Sequence, residues 1–306
     1  MFDVVIPVYR PGKELEILLK RLIRQKAPAD RIILINTGKQ YFDDSRYLIS
    51  DKIEVHHISS DEFDHGATRH MGMMLSTADY VLFMTMDAIP ADEWMTDRLL
   101  EAFKKDVPVA VSYARQLPKK NCRYIERFTR AFNYPDTEII KTAASKDELG
   151  IKTYFCSDVC AMYDRKIYIK NGGFQHPIIF NEDMVYAAKA VESGYAIVYA
   201  AKAAVYHSHN YGIKEQFSRN FDMGVSQTDY REIFDSVKSE SEGVKLVFSC
   251  IKYLLRTGHW YDVPYLIINS AAKYLGYKAG RNYKKLSKKI ILKFTMNKRY
   301  WDKIKV

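Results

Sequence analysis

The sequence predicts an α/β fold with a mostly parallel central sheet and flanking helices, followed by a helical, basic C-terminal extension. Three observations carry this. Apolar runs of strand length alternate with stretches of helical spacing through the first two-thirds of the chain. The strand-like runs are continuously apolar, as in strands covered on both faces. After Gly212 the strand-like runs stop and helical spacing alone remains.

Phe2 to Val8 is an apolar strand that runs out in Pro7-Val8-Tyr9-Arg10-Pro11-Gly12. Lys13 to Lys26 has helical spacing through Leu15, Leu18, Leu19, Leu22 and Ile23. Arg31 to Asn36 is a second buried strand, ended by Thr37-Gly38, and Ile53 to Ile58 a shorter one. A helix is predicted over about 68–76, a strand over Tyr80 to Met86, a helix over 92–104 and a strand over 107–113. Between Pro118 and Ile151 the pattern weakens into helical pieces and loops. Asn171-Gly172-Gly173-Phe174 signals a turn. Glu182 to Ser193 is helical and stops at Gly194, and Ala196 to Tyr199 is a strand. Residues 213–234, 244–257, 260–280 and 283–295 read as helices. The expected division is an α/β domain over 1–212, with two halves meeting at about 116–117, then a helical region over 213–306.

The 306 residues suffice to bury a full core. Cys122, Cys156, Cys160 and Cys250 form no CxxC pair and read as reduced thiols. Met1-Phe2-Asp3 carries an acid where a signal peptide has a basic segment, and no stretch approaches the ~18 apolar residues of a membrane span. A cytoplasmic protein is expected. The net charge of +10 is uneven: from Val244 onward there are 15 Lys or Arg and two acids, Asp262 and Asp302, so the tail carries +13 and the remainder −3. Such asymmetry suggests an anionic partner, and no RNA- or DNA-binding motif accompanies it.

Four clusters have chemical potential. Asp87 ends an apolar strand, where open α/β sheets receive ligands. One such carboxylate suffices in principle for a phosphate-bridging cation, but taken alone it reads first as a cap before the helix that starts near Asp92. Pro7 and Tyr9, with Asn36 and Thr37, lie at two further strand ends that suit a nucleotide base or an ordinary turn. In His65-Gly66-Ala67-Thr68-Arg69, Gly66 permits close backbone approach and Arg69 suits a phosphate or solvent. Downstream, Glu182 and Asp183 open a helix, either complementing its dipole or deprotonating a hydroxyl. His207 and His209 alternate on an extended segment, so both rings can turn to one side, toward a metal or toward solvent.

Read in order, the clusters resemble the inverting family-2 glycosyltransferases of GT-A fold, and within them bacterial rhamnosyltransferases of cell-surface polysaccharide synthesis. The carrying stretches are Val5-Ile6-Pro7-Val8-Tyr9, Phe63 to Arg69, Thr85-Met86-Asp87-Ala88-Ile89-Pro90, Arg115-Gln116-Leu117-Pro118, Gly172-Gly173-Phe174, Asn181-Glu182-Asp183 and His207-Ser208-His209-Asn210. Gln216 to Gly224 and Lys273 to Gly280 continue the likeness. The resemblance implies a nucleotide-sugar site made by Pro7, Tyr9, Asn36, Thr37, His65, Gly66, Arg69, Thr85, Met86 and Asp87. It implies Asp87 and His207 as contacts to Mg²⁺ or Mn²⁺, Asp183 as general base with Glu182 beside it, and Arg115 and Gln116 toward the acceptor. The implied donor is dTDP-β-L-rhamnose and the implied acceptor a glycan or undecaprenyl-linked saccharide. Peripheral association with the anionic inner face of the plasma membrane goes with that acceptor. Asn36 stands where many members have an acid, Met86 where the rhamnosyltransferase form has Gln, and Ala67 where it has Gly.

Other classes fit less well. Another UDP- or dTDP-sugar donor is the nearest alternative. A sugar nucleotidyltransferase needs a Gly-rich loop after the first strand, where this chain has Pro7-Val8-Tyr9-Arg10-Pro11. A non-enzymatic anionic-polymer binder accounts for the tail but not for Asp87, Glu182 and Asp183 together.

Overall fold

The computed structural model describes residues 1–237 and 240–304, and of residues 240–242 only the backbone is described. Along the chain come β1 (Phe2–Tyr9), α1 (Lys13–Ile23), β2 (Ile32–Thr37), α2 (Asp44–Tyr47), β3 (Ile53–Ile58), α3 (His65–Leu75), β4 (Tyr80–Met84), β5 (Ile89–Pro90) and α4 (Met95–Glu101). Then follow β6 (Val109–Leu117), α5 (Tyr124–Asn133), β7 (Ile139–Lys141), α6 (Lys146–Leu149), β8 (Cys160–Asp164), α7 (Arg165–Lys170), α8 (Glu182–Glu192) and β9 (Ala196–Tyr206). The remaining elements are α9 (Ile213–Asp229), α10 (Arg231–Phe234), α11 (Glu240–Arg256), α12 (Val263–Arg281), α13 (Lys288–Phe294) and α14 (Tyr300–Lys303).

Two compact units divide the chain. One comprises Met1–Leu117, Tyr134–His176 and Glu182–His207; the other comprises Pro118–Asn133, Pro177–Asn181 and Ser208–Val306.

The first unit is a nine-stranded sheet of order β3-β2-β1-β4-β8-β6-β9-β5, with β7 pairing β9. Its first four strands are parallel, joined by helices as the alternating sequence requires. Leu15, Leu18, Leu19 and Leu22 of α1 are buried on the sheet, each contributing about 1.5–3 kcal/mol relative to exposure. Gly72 lets α3 lie against β1, because a Cβ there would run into Val5 Cγ1. Beyond β4 the sheet becomes mixed. β8 inserts antiparallel between β4 and β6, which sequence periodicity did not reveal in the short run Cys160-Ala-Met-Tyr-Asp164. β9 is longer than its apolar core predicts. Its pairing with β6 slips between Ala114 and Arg115, so Ala200 and Ala204 pair successive residues. That slip lets β9 reach β5, where Ile89 pairs with Tyr206 and Pro90 with Val205.

The second unit is helical. Ile125 of α5, Cys250 and Leu254 of α11 and Leu266 of α12 form one core; Phe221 and Val225 of α9 join Ile291, Tyr300 and Trp301 in another. α12 crosses α9 at backbone contact. A Cβ at Gly276 would strike the Phe217 carbonyl, and one at Gly280 the Phe221 carbonyl. No helix among the described residues is long and apolar enough to cross a membrane.

Candidate active site

The pairing of β5 with β9 decides where Asp87 goes. Asp87 lies two residues before Ile89 and His207 one residue after Tyr206, so the Ile89–Tyr206 pair brings both to one end of the sheet. Asp87 Oδ1 lies 3.6 Å from His207 Nε2, and His207 is 6% exposed. Its backbone N–H continues the β6 ladder by donating to the Leu117 carbonyl at 2.9 Å.

Gln116, in β6, orients the imidazole. Its amide nitrogen donates to Tyr134 Oη at 2.6 Å and to Ser157 Oγ at 2.9 Å. The amide oxygen therefore faces His207 Nδ1, also at 2.9 Å, and accepts the ring proton. A neutral ring so held presents the Nε2 lone pair toward Asp87. An imidazole nitrogen and a carboxylate, with the second ring nitrogen fixed by an amide, suit a borderline or hard divalent cation. The donor set fits a divalent metal ion.

A second cluster surrounds Arg69. Asp64 caps α3 by accepting the Gly66 and Ala67 N–H groups at 3.0 and 2.9 Å, while Thr68 Oγ1 accepts the Asp64 N–H at 3.3 Å. The helix thus starts at His65, three residues before the sequence suggests, with Asp64 as its cap. Arg69 is carried inward by this first turn and is buried. Its Nη1 lies 3.0 Å from Glu182 Oε1, and its Nε 3.3 Å from Asp158 Oδ2. Burial alone would lower the guanidinium's affinity for its proton, but Glu182 and Asp158 raise it further.

Asp183 lies beside this cluster in the first turn of α8. Its carboxylate accepts the Met184 N–H at 2.7 Å and the Asp158 N–H at 3.2 Å. Burial, then the Glu182 charge, pushes its carboxyl from 3.8 up to about 7 against those bonds and Arg69. The Asp158 carboxyl is also held well above its ordinary range by burial, although Arg69 opposes this and Tyr163 Oη donates to it at 2.6 Å. A carboxylate that titrates near neutrality can take a proton from a hydroxyl.

The expected base-site residues lie at the ends of β1 and β2. Tyr9 is exposed and meets Tyr41 edge to face at 6.0 Å. The Arg10 guanidinium lies over both rings, at 5.2 and 4.6 Å. Pro7 is half-buried. Asn36 is buried, donating to the Gly38 carbonyl at 3.1 Å, with His57 Nδ1 at 3.0 Å. Asn36 Oδ1, Thr37 Oγ1 and Thr85 Oγ1 are buried without a hydrogen-bond partner. Met86 is half-buried against the core, His65 is half-buried, and Gly66 is in the first turn of α3. Arg115 donates through Nε to the Tyr134 carbonyl at 3.2 Å.

Asp158, Tyr134, Ser157 and Arg10 were not singled out by sequence reasoning. Asp158 has no local signal, because the stretch before β8 has no helical or strand periodicity. Tyr9-Arg10 was visible as a strand-end pair, but Tyr41 joins it only through the fold.

A sheet of this topology, with these groups at its strand ends and on the helices that follow, defines an α/β enzyme with the GT-A fold. The chain belongs to the glycosyl transferase family 2, whose family model matches residues 3–172. It is a glycosyltransferase. It is 35% identical over 305 residues to the O-antigen chain rhamnosyltransferase RfbN of Salmonella typhimurium, covering 98% of this chain and 96% of that protein. It is 34% identical over 309 residues to the O-antigen chain rhamnosyltransferase WbaN of Salmonella anatum, covering 99% and 96%. In fold it is similar to the mannosyltransferase PcManGT from Pyrobaculum calidifontis in complex with GDP-Man and Mn²⁺. The TM-score there is 0.57 at 12% identity, over 99% of this chain and 83% of that one. S. aureus TarS 1-349 in complex with UDP-GlcNAc gives 0.52 at 15% identity, over 93% and 91%.

Proposed function

We propose that the chain transfers L-rhamnose from dTDP-β-L-rhamnose to a saccharide, free or undecaprenyl-linked, in cell-surface polysaccharide synthesis. The near-neutral Asp183 carboxyl carries the mechanistic part of this reading, and the full-length relatives support the sugar.

Asp183 takes the proton of the acceptor hydroxyl as its oxygen bonds to the anomeric carbon. The bond from that carbon to the diphosphate oxygen breaks on the opposite face, and its electron pair leaves with the diphosphate, so configuration inverts. Glu182 is held by Arg69 beside Asp183, and its charge adds to the burial that raises Asp183's basicity. Asp87 and His207 are the residues that would hold a divalent cation, with Gln116 fixing the imidazole. Such an ion, when bound, neutralises charge on a departing diphosphate. Tyr9 and Arg10 offer an aromatic and cationic surface for the nucleotide, with Asn36 and Thr37 deeper at the neighbouring strand end. Arg115 is assigned to the acceptor side, as is the Gln116 segment.

A thermal-shift panel of dTDP-rhamnose, UDP- and dTDP-hexoses and GDP-mannose, each with and without Mn²⁺, tests donor and metal together. A ligand at 100 times its Kd stabilises the native state by about 2.7 kcal/mol. The expected result is a selective, Mn²⁺-enhanced shift with dTDP-rhamnose. A larger shift with a UDP-sugar would replace the donor, and no shift with any nucleotide-sugar would overturn the reading.

A further inference from the structure

The two faces of α12 have opposite characters. Leu266, Asn269, Gly276 and Gly280 are buried, and at ~100° per residue they share one side of the helix with Lys273. On the opposite side, within an arc of about 120°, lie Ile267, Ile268, Tyr274 and Leu275. The turn leading into the helix carries Trp260 and Tyr261. These six side chains are between 53% and 67% exposed. Lys278 falls on the same outward arc and lies 5.6 Å from the Tyr274 ring centroid. Lys284, Lys285, Lys288 and Lys289 follow, all exposed.

We infer that this face of α12, with Trp260 and Tyr261, seats the protein on an anionic lipid surface. An apolar stripe that includes Lys278, continues in sequence into four exposed lysines and has a Trp-Tyr pair at one end matches the boundary between lipid headgroups and acyl chains. The charge decides the occupant. From Val244 onward the chain carries +13, so apposing two copies through this face brings like charges together, whereas anionic headgroups complement it. No described helix is long and apolar enough to span, so the helix lies along the surface. Leu266 and Lys273 face the unit's interior. The inference does not depend on which sugar is transferred.

The test is flotation of the full chain with vesicles of phosphatidylcholine alone or with one quarter phosphatidylglycerol. Wild type should float with the anionic vesicles at low salt, and less in about 1 M salt, where the Debye length is ~3 Å. The doubly substituted chain I267E/L275E, with unchanged circular dichroism, should bind about tenfold more weakly or worse. In the unsubstituted chain, brominated lipid should quench tryptophan emission, and Trp260→Phe should remove that quenching. This readout stands even where the double variant fails to fold. Wild type that stays unbound at low salt, a folded double variant that binds equally, or quenching that persists in Trp260→Phe would each overturn the inference. So would a lipid-free dimer, seen by sedimentation, that the double substitution dissolves. None of these outcomes involves turnover, so failure here is distinct from failure of the transfer reading.

Discussion

Replacing Asp183 with Asn should separate activity from stability, in opposite directions. The wild-type carboxyl is pushed from 3.8 up to about 7 by burial and by Glu182. A folded-state pKa raised above the unfolded value makes the native state lose stability as pH climbs from about 3.8 to about 7. Above that window, at ~1.4 kcal/mol per decade of acidity, holding Asp183 ionised costs roughly 4 kcal/mol. Asn carries no such cost. It does put an NH₂ where one of two backbone N–H groups now donates, a loss of about 1–3 kcal/mol. Asp183→Asn should therefore unfold at or above the wild-type temperature at pH 8. Its advantage should shrink by roughly 2–3 kcal/mol at pH 5, where wild type is largely protonated. Transfer should meanwhile fall about 10²–10⁴-fold, the usual worth of a general base. In wild type, kcat/KM should rise with pH and level off above about 7. Urea titrations at both pH values and a coupled assay of nucleotide release supply the measurements. A variant that keeps most of its transfer rate removes Asp183 as the base. A stability difference identical at pH 5 and pH 8 refutes the account of its ionisation.

Three further substitutions probe the surrounding groups. Asp87→Ala should abolish the Mn²⁺-dependent part of nucleoside diphosphate binding, and unchanged affinity by calorimetry with Mn²⁺ would exclude Asp87 as a ligand. Gln116→Leu releases His207 Nδ1 and should weaken Mn²⁺ binding, followed by electron paramagnetic resonance, by about 10–100-fold. Metal-free nucleotide binding should hardly change, and equal Mn²⁺ affinity would dismiss Gln116 as a positioning residue. Arg69→Met leaves Asp158, Glu182 and Asp183 without their buried cation and should destabilise by about 3–5 kcal/mol at pH 8. The loss should be smaller at pH 5, because the Asp183 carboxyl, raised to about 7, then holds a proton. A loss that does not depend on pH contradicts this.

The parallel half of the sheet is legible in the sequence because buried parallel strands need long apolar runs: Phe2–Tyr9, Ile32–Thr37 and Tyr80–Met84 are such runs. The mixed half is not, since β8 is five residues long and its partners β4 and β6 are distant in sequence. The same limit applies to the site. Asp87 and Asp183 stand out locally, at a strand end and at a helix start. Asp158 gains meaning only from Arg69, 89 residues earlier, and from Asp183, 25 residues later. Gln116 belongs to a visible motif, yet its link to His207 depends on the slipped pairing of β6 with β9. Arg69 reads as solvent- or phosphate-facing until the Asp64 cap fixes where the first turn of α3 points.

Ser157 and Asp158 share a peptide bond and, in the proposed mechanism, serve opposite ends of the chemistry. The Ser157 hydroxyl accepts from the amide that aligns His207, and the Asp158 N–H steadies the Asp183 carboxylate. This one dipeptide acts as a tie rod. A shift of Gln116, passed to Ser157, reaches Asp183 through covalent geometry rather than across solvent. In the proposed mechanism, this would link occupancy on the leaving-group side to readiness on the attacking side.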